Sequence, residues 1–173
     1  MTNFKEDLIN IKAFVFDLDG VLSLQTITLN SFGVPNRTVN LRDGYALQLA
    51  VKKGYSVAVI TGSNCKEYSK RLKLLGISDI YLNSRTKIEN FNSFLKKYNL
   101  NNSEVLYMGD DIPDLEVMKL ARVPVCPSDA DSEVKQISLY ISDKKGGEGC
   151  VRDIIEQVMR LHDKWLDSEA FSW

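Results

Sequence analysis

Short apolar runs alternate with amphipathic stretches along the chain. Ile11-Lys12-Ala13-Phe14-Val15-Phe16 is apolar except for Lys12 and ends at Asp17. Val57-Ala58-Val59-Ile60 ends at Thr61-Gly62, Ile80-Tyr81-Leu82 is weaker, and Val105-Leu106-Tyr107-Met108 ends at Gly109-Asp110. Val123-Pro124-Val125-Cys126 and Leu139-Tyr140-Ile141 follow. Such runs suit strands buried on both faces of a parallel sheet. Between them, apolar residues recur at helical spacing. The pattern predicts a helix over 43–53, capped by Asp43 and stopped by Gly54, and another over 66–75, stopped by Gly76. A third opens at Ser84 or Thr86 and reaches Tyr98, and a fourth has Pro113 in its first turn and runs to about residue 122. The last, over 153–165, is amphipathic through Ile154, Val158, Leu161 and Trp165.

This alternation predicts an α/β fold. The expectation is a doubly wound, three-layer α/β/α domain on a mostly parallel, Rossmann-like sheet, spanning 1–173 as one unit. Segment 24–41 breaks the rhythm. Thr26-Ile27-Thr28-Leu29, a turn-like Asn30-Ser31-Phe32-Gly33 and Arg37-Thr38-Val39-Asn40 predict a β-hairpin projecting after the first strand. Segment 164–173 reads as a loosely ordered tail, with Trp165, Phe171 and Trp173 wanting something to pack on.

Composition narrows the function. At 173 residues the chain has room for one domain, not for a catalytic domain plus a separately folded lid. Lys and Arg number 22 against 23 Asp and Glu, a net charge of -1, which argues against a nucleic-acid-binding surface. No apolar run approaches the roughly 20 residues of a membrane helix. Met1-Thr2-Asn3-Phe4-Lys5-Glu6-Asp7 lacks a signal-peptide pattern. Cys65, Cys126 and Cys150 form an odd set without metal-type spacing and read as reduced thiols of a cytoplasmic protein. With His162 as the one histidine, a His-based catalytic pair is nearly excluded and carboxylates are left to do the chemistry.

Ligands of an open parallel sheet bind at the carboxyl ends of its strands. The residues just past the four strongest runs are Asp17 and Asp19, Thr61 and Gly62, Lys87, and Asp110, Asp111 and Asp114. Carboxylates gathered this way repel one another, so a cation is expected among them, and hard oxygen ligands favour Mg²⁺. A divalent ion lets the rim accept a phosphate dianion, with Lys87 and Thr61 adding charge and a donor. The result is a phosphoryl-transfer site with an Asp nucleophile. Asp17, at the strand end, points to the metal. Asp19, two residues on, offers its carbonyl to the metal and its side chain to the leaving group. Gly20 permits the tight loop.

Asp17-Leu18-Asp19-Gly20-Val21-Leu22, Thr61-Gly62, Lys87 and Gly109-Asp110-Asp111-x-x-Asp114 resemble, in order and spacing, the four motifs of the haloacid dehalogenase superfamily of phosphatases. About 40 residues separate the first two motifs, which leaves no room for an inserted cap domain. The chain is thus similar to the capless subgroup that includes phosphatases of 3-deoxy-D-manno-octulosonate 8-phosphate. Further matches are Asn40-Leu41-Arg42-Asp43-Gly44-Tyr45, Arg71 with Leu75-Gly76-Ile77, and Gly146-Gly147-Glu148-Gly149-Cys150-Val151-Arg152. The resemblance implies Mg²⁺ on Asp17, the Asp19 carbonyl and Asp110, with Asp111 and Asp114 supporting it. It implies Asp17 as the phosphorylated nucleophile, Asp19 as acid/base, and Thr61, Gly62 and Lys87 around the phosphate. Asn40, Leu41, Arg42, Asp43, Gly44 and Arg71 would lie near a small phosphorylated sugar acid, as would Gln48 and Ser63.

Ser63 and Gln48 stand where many relatives carry arginine, and Arg37, Arg42, Lys66 or Arg71 are the residues able to compensate. A nine-carbon sugar acid 9-phosphate is the alternative substrate. The resemblance also implies a homotetramer in which a neighbour's hairpin and tail close the site. Blander readings exist for single residues. Lys87 can be read as a solvated helix residue, Asp111 and Asp114 as helix caps, Arg71 equally as a partner of Glu67, and Gly146-Gly147-Glu148-Gly149 is read first as a flexible turn, with substrate proximity second. A receiver domain also clusters Asp, Thr and Lys, but no Asp follows Ile80-Tyr81-Leu82 here. A non-catalytic assembly module is the other rival, and it is at odds with the presence of both Asp17 and Asp19.

Overall fold

The computed structural model describes residues 4–172. Met1, Thr2 and Asn3, part of the leader reading, and Trp173, part of the tail reading, lie outside the described residues. A short helix α1 (Phe4–Leu8) precedes strand β1 (Ala13–Phe16), and the hairpin is β2 (Thr28–Leu29) and β3 (Pro35–Asn36). Then follow α2 (Leu41–Lys52), β4 (Ser56–Ile60), α3 (Lys66–Leu74), β5 (Asp79–Tyr81), α4 (Lys87–Tyr98) and β6 (Val105–Met108). The chain continues through α5 (Leu115–Met118), β7 (Val123–Cys126), α6 (Ser132–Ile137), β8 (Tyr140–Ile141) and α7 (Cys150–Leu161).

Six strands form one sheet in the order β5-β4-β1-β6-β7-β8, and every pairing in it is parallel. Side chains alternate across it, as the pleat requires. Phe14, Phe16, Val57, Val59, Leu106 and Met108 face a layer built by α2, α3 and α7. Ala13, Val15, Ala58, Ile60, Val105 and Tyr107 face a layer containing Phe91 and Phe94 of α4, Val117 of α5 and Val134 of α6. The central strands β4, β1, β6 and β7 are apolar at successive positions because both of their faces are covered, whereas the edge strands β5 and β8 are partly open. The expected doubly wound three-layer fold is therefore present, and no cap domain interrupts it. The chain leaves β1 toward β4 and β5, then returns to the other side of β1 as β6. That reversal opens a crevice at the carboxyl ends of β1 and β6, which are paired Phe16 to Met108.

Several boundaries differ from the pattern. Asp43 does not cap α2. Asn40 does, its side chain accepting from the Arg42 and Asp43 amides, while Asp43 is buried one turn in and accepts from the Arg152 amide at 2.7 Å. The helix expected from Pro113 splits into a 3-10 turn over Ile112–Asp114 and the one-turn α5. α7 starts and ends earlier than 153–165, with its stripe of Cys150, Val151, Ile154, Ile155, Val158 and Met159 buried against the sheet and α2. The hairpin's return strand is Pro35–Asn36 rather than 37–40. Asn30 closes the turn early by accepting from the Phe32 and Val34 amides. The tail is not loose. Trp165 is buried with its ring edge-on to Tyr45, Tyr45 donates to the Ala170 carbonyl, and Lys53 pairs with Asp167 and Glu169. No helix among the described residues is long and apolar enough to cross a membrane.

Candidate active site

The strand ends place the acidic residues. Asp17 follows β1, and its amide donates to the Met108 carbonyl of β6 at 3.0 Å. This brings the loop after β1 against Gly109 and Asp110. Carboxylate oxygens of Asp17, Asp110 and Asp114, all three buried, lie within 4.8 Å of one another. The Lys87 ammonium, at the start of α4, is also buried, 2.9 Å from Asp17 Oδ2 and 2.7 Å from Asp114 Oδ1. Lys87 is therefore no solvated helix residue.

Two glycines make this crowding possible. A Cβ on Gly20 would sit 1.9 Å from Asp110 Oδ2, and Gly20 has a left-handed φ of 84°. A Cβ on Gly109 would sit 2.4 Å from the Asp114 Cβ.

Three carboxylates against one ammonium leave the cluster short of positive charge. Burial, and next the charge of Asp114, push the Asp17 carboxyl up to about 8, although Lys87 pulls the other way. Burial and Asp114 likewise push Asp110 up to about 7. Burial lowers Lys87, but Asp17 and Asp114 outweigh it and the ammonium ends above its ordinary value.

The three acids differ in how they are satisfied. Asp114 is saturated: Oδ1 accepts from Lys87 and, at 2.6 Å, from Tyr107, while Oδ2 accepts from the Asp110 amide at 3.3 Å. Asp110 Oδ2 accepts from Gln25 at 3.2 Å, but its Oδ1 is buried with no hydrogen-bond partner. A buried, unpartnered carboxylate oxygen costs on the order of 1–3 kcal/mol or more unless something binds it. An oxygen-only donor set with an orphaned oxygen fits a hard divalent cation.

Asp17, Asp19, Thr61, Gly62, Ser63, Lys87, Asp110, Asp111 and Asp114 share one open cleft of about 700 Å³. Thr61 is buried and its hydroxyl accepts from the Ser63 amide. Asp111 caps the turn that follows it while lining the cleft. Asp19 is held by Arg37 through Nε at 2.6 Å and Nη2 at 2.9 Å, and by the Ser63 hydroxyl at 2.6 Å.

The other candidate residues do not line this cleft. Asn40 and Arg42 line a second cleft with Lys144, Arg152 and Arg160. Leu41 is exposed on α2, and Gln48 is half-buried on it. Asp43 and Gly44 are buried, and Arg71 lies against Gly44 in a groove shared with Val34 and Pro35.

Gln25, Arg85, Asp129 and Asp131 line the main cleft and escaped the sequence reading. Gln25 sits at the foot of the hairpin, where no local pattern marks it. The glycine turn, expected to be flexible, is a brace. The Gly147 amide donates to the Val21 carbonyl at 2.8 Å, the Gly146 amide to Asp129, and a Cβ on Gly146 would sit 1.9 Å from the Gly20 carbonyl oxygen.

A profile of haloacid dehalogenase-like hydrolases matches residues 75–154. The 3-deoxy-D-manno-octulosonate 8-phosphate phosphatase of Escherichia coli (strain K12) is 32% identical over 163 residues, covering 94% of this chain and 87% of the relative. The chain belongs to the haloacid dehalogenase-like hydrolases. Within that family it is a phosphatase, similar to those acting on this sugar acid phosphate. The Yersinia pestis 3-deoxy-D-manno-octulosonate 8-phosphate phosphatase structure superposes with a TM-score of 0.90 at 29% identity, covering 93% of this chain and 87% of that one. The Moraxella catarrhalis phosphatase, solved with magnesium, phosphate and KDO (3-deoxy-D-manno-octulosonate), gives a TM-score of 0.90 at 31% identity, covering 97% and 95%.

Proposed function

We propose that this phosphatase hydrolyses 3-deoxy-D-manno-octulosonate 8-phosphate to the free sugar acid and phosphate, through an aspartyl-phosphate on Asp17. The observation that carries the chemistry is the cleft in which Asp17, Asp19, Thr61, Lys87 and Asp110 converge around the unpartnered oxygen of Asp110. The substrate rests on the similarity to the Escherichia coli and Moraxella catarrhalis enzymes. Asp17, the Asp19 carbonyl and Asp110 would hold Mg²⁺. Bound there, the ion neutralises phosphate oxygens and screens the nucleophile from the dianion.

The remaining work falls to the chain. Asp17 Oδ attacks phosphorus while the sugar oxygen leaves with a proton from Asp19. Asp19 then takes a proton from the water that attacks the acyl phosphate, which restores Asp17. Lys87 pairs with a phosphate oxygen, and the Thr61 hydroxyl and Gly62 amide donate to others. Asp114, saturated by Lys87, Tyr107 and the Asp110 amide, acts as a fixed support for Lys87 and Asp110.

The assembly expected from the resemblance, a homotetramer, belongs to the same reading. Its support is the apolar surface the hairpin presents, with Leu29, Val34 and, at 87%, Phe32 exposed. The tail docks on α2 of its own chain through Trp165 and Ala170 while leaving Leu166 and Phe171 exposed, so both the hairpin and the tail offer apolar side chains to a neighbour.

The test is phosphate release from 3-deoxy-D-manno-octulosonate 8-phosphate beside a nine-carbon sugar acid 9-phosphate and neutral sugar phosphates, with Mg²⁺ and with chelator. Mg²⁺-dependent release favouring the eight-carbon acid is expected. Release from other esters only moves the substrate, and release unaffected by chelation overturns the metal assignment.

A further inference from the structure

Arg37, just past β3, lines the groove next to the cleft and reaches two cleft residues, Asp19 and Ser63. We propose that Arg37 is a specificity-determining residue: its guanidinium rests on Asp19 in the free enzyme and passes to a carboxylate of the substrate on binding. This inference rests on the sugar-acid reading above.

The contact is a planar fork on a carboxylate. Nε meets Asp19 Oδ1 at 2.6 Å, Nη2 meets Oδ2 at 2.9 Å, and Nη2 also donates to the Ser63 hydroxyl at 2.9 Å. Both Asp19 oxygens are engaged, so the carboxylate has to be released before it can reach a leaving-group oxygen. Ser63, which donates to Asp19 Oδ2 at 2.6 Å, can keep that carboxylate oriented after the fork has gone.

An arginine fork recognises any carboxylate of the same geometry. Exchanging Asp19 for a substrate carboxylate therefore conserves both hydrogen bonds of Arg37 and frees the acid/base at the moment the right ligand arrives. An ester without a carboxylate has nothing to offer in exchange, and Asp19 stays engaged.

Of the two arginines in the groove beside the cleft, Arg37 and Arg71, Arg37 is the one that contacts the cleft residues Asp19 and Ser63. Lys87 is buried and committed to Asp17 and Asp114. Asp111, Asp129 and Asp131 also line the cleft and repel a second negative group on the ligand. Arg85, on the loop after β5, is exposed. Arg37 is preorganised by contrast, its side chain 12% exposed. Its neighbour Thr38 is pinned to the rim: the Thr38 amide donates to the Ser23 hydroxyl at 3.1 Å, and the Leu24 amide to the Thr38 hydroxyl at 3.0 Å. The backbone is thus fixed beside the cleft, and the side chain alone has to swing. A preformed fork costs less ordering on binding than a free one.

The experiment compares kcat/KM for 3-deoxy-D-manno-octulosonate 8-phosphate with that for ribose 5-phosphate, in wild type, Arg37→Ala and Arg37→Lys. Arg37→Ala is expected to lower the ratio of the two by about 10- to 100-fold, the worth of a charge-assisted hydrogen-bonded contact, with most of the loss in KM for the acid. Arg37→Lys restores part of the ratio, because it keeps the charge and loses the fork. Losses equal on both esters would mean that Arg37 only supports the fold or Asp19, and they overturn the proposal. An unchanged ratio overturns it as well. Should Arg37→Ala fail to fold by thermal melt, inhibition of ribose 5-phosphate hydrolysis by the unphosphorylated sugar acid, in wild type against Arg37→Lys, reads the same contact. Equal inhibition constants there also overturn it. A wild type that prefers the acid, with the preference kept in Arg37→Ala, sinks the Arg37 assignment alone. A wild type with no preference for the acid sinks the substrate reading and this inference together.

Discussion

Two aspartates on this sheet meet lysines from the same helix, and their fates are opposite. Asp79, at the start of β5, accepts from Lys97 at 2.6 Å, Tyr98 at 2.5 Å and Ser78 at 3.2 Å. Burial raises its carboxyl, but these donors win and hold it below its ordinary value of 3.8. Asp17, past the end of β1, has Lys87 at 2.9 Å and the Leu18 amide at 2.7 Å. There burial and Asp114 win, and the carboxyl rises to about 8. Lys97 serves one carboxylate, whereas Lys87 is shared between two with a third close by. The edge pair is a settled structural contact. The central cluster is left short of a cation, which is the condition a divalent metal can relieve.

The sharpest break of this comparison is Asp17→Asn. An amide cannot form the acyl phosphate, so turnover is expected to fall by about a thousandfold or more. The metal-free melting temperature should hold or rise, since one carboxylate leaves a crowded set. Phosphate release near the wild-type rate would remove Asp17 as nucleophile.

Gly20→Ala comes next. Its methyl would meet Asp110 Oδ2 at 1.9 Å in a left-handed backbone, so activity should collapse and stability fall by about 1–3 kcal/mol. Wild-type kinetics in this variant would show that the close approach of the two loops is dispensable.

Asp79→Asn should do the reverse of Asp17→Asn, lowering stability by about 1–3 kcal/mol while leaving kcat within a factor of two. Urea melts of chelated protein then separate the two sites by pH. Asp17, raised when folded, contributes stability that is present below pH 3.8 and lost as pH rises through about 8. Asp79, lowered when folded, contributes stability that is present above pH 3.8 and lost as pH falls through its folded value. The stability difference between wild type and Asp17→Asn should therefore fall between pH 4 and 9. The difference for Asp79→Asn should stay flat over that range and shrink only in stronger acid. The same sign at both sites would erase the distinction.

Much of this was legible in residue order. Six apolar runs with turn residues between them specify strands buried on both faces, because such runs have no polar side to show to water. Those strands demand a parallel, doubly wound sheet, and a parallel sheet brings its carboxyl ends to one rim. Asp17, Thr61, Lys87 and Asp110 were thus locatable as neighbours while up to 93 residues apart in the chain.

The tertiary structure alone decided the rest. It gave the cap of α2 to Asn40 and buried Asp43, since a side chain's place in a turn depends on what packs over it. It turned Gly146 and Gly147 from an expected flexible turn into a brace on the Gly20 loop. It docked the tail on α2 through Trp165, where sequence offered apolar residues without a surface. It brought Gln25 to Asp110 and Arg37 to Asp19, two contacts made by a hairpin with no periodic signal. Local spacing specifies elements because it is set by backbone geometry. Charge partners across the fold are set by packing, and packing is a property of the whole chain.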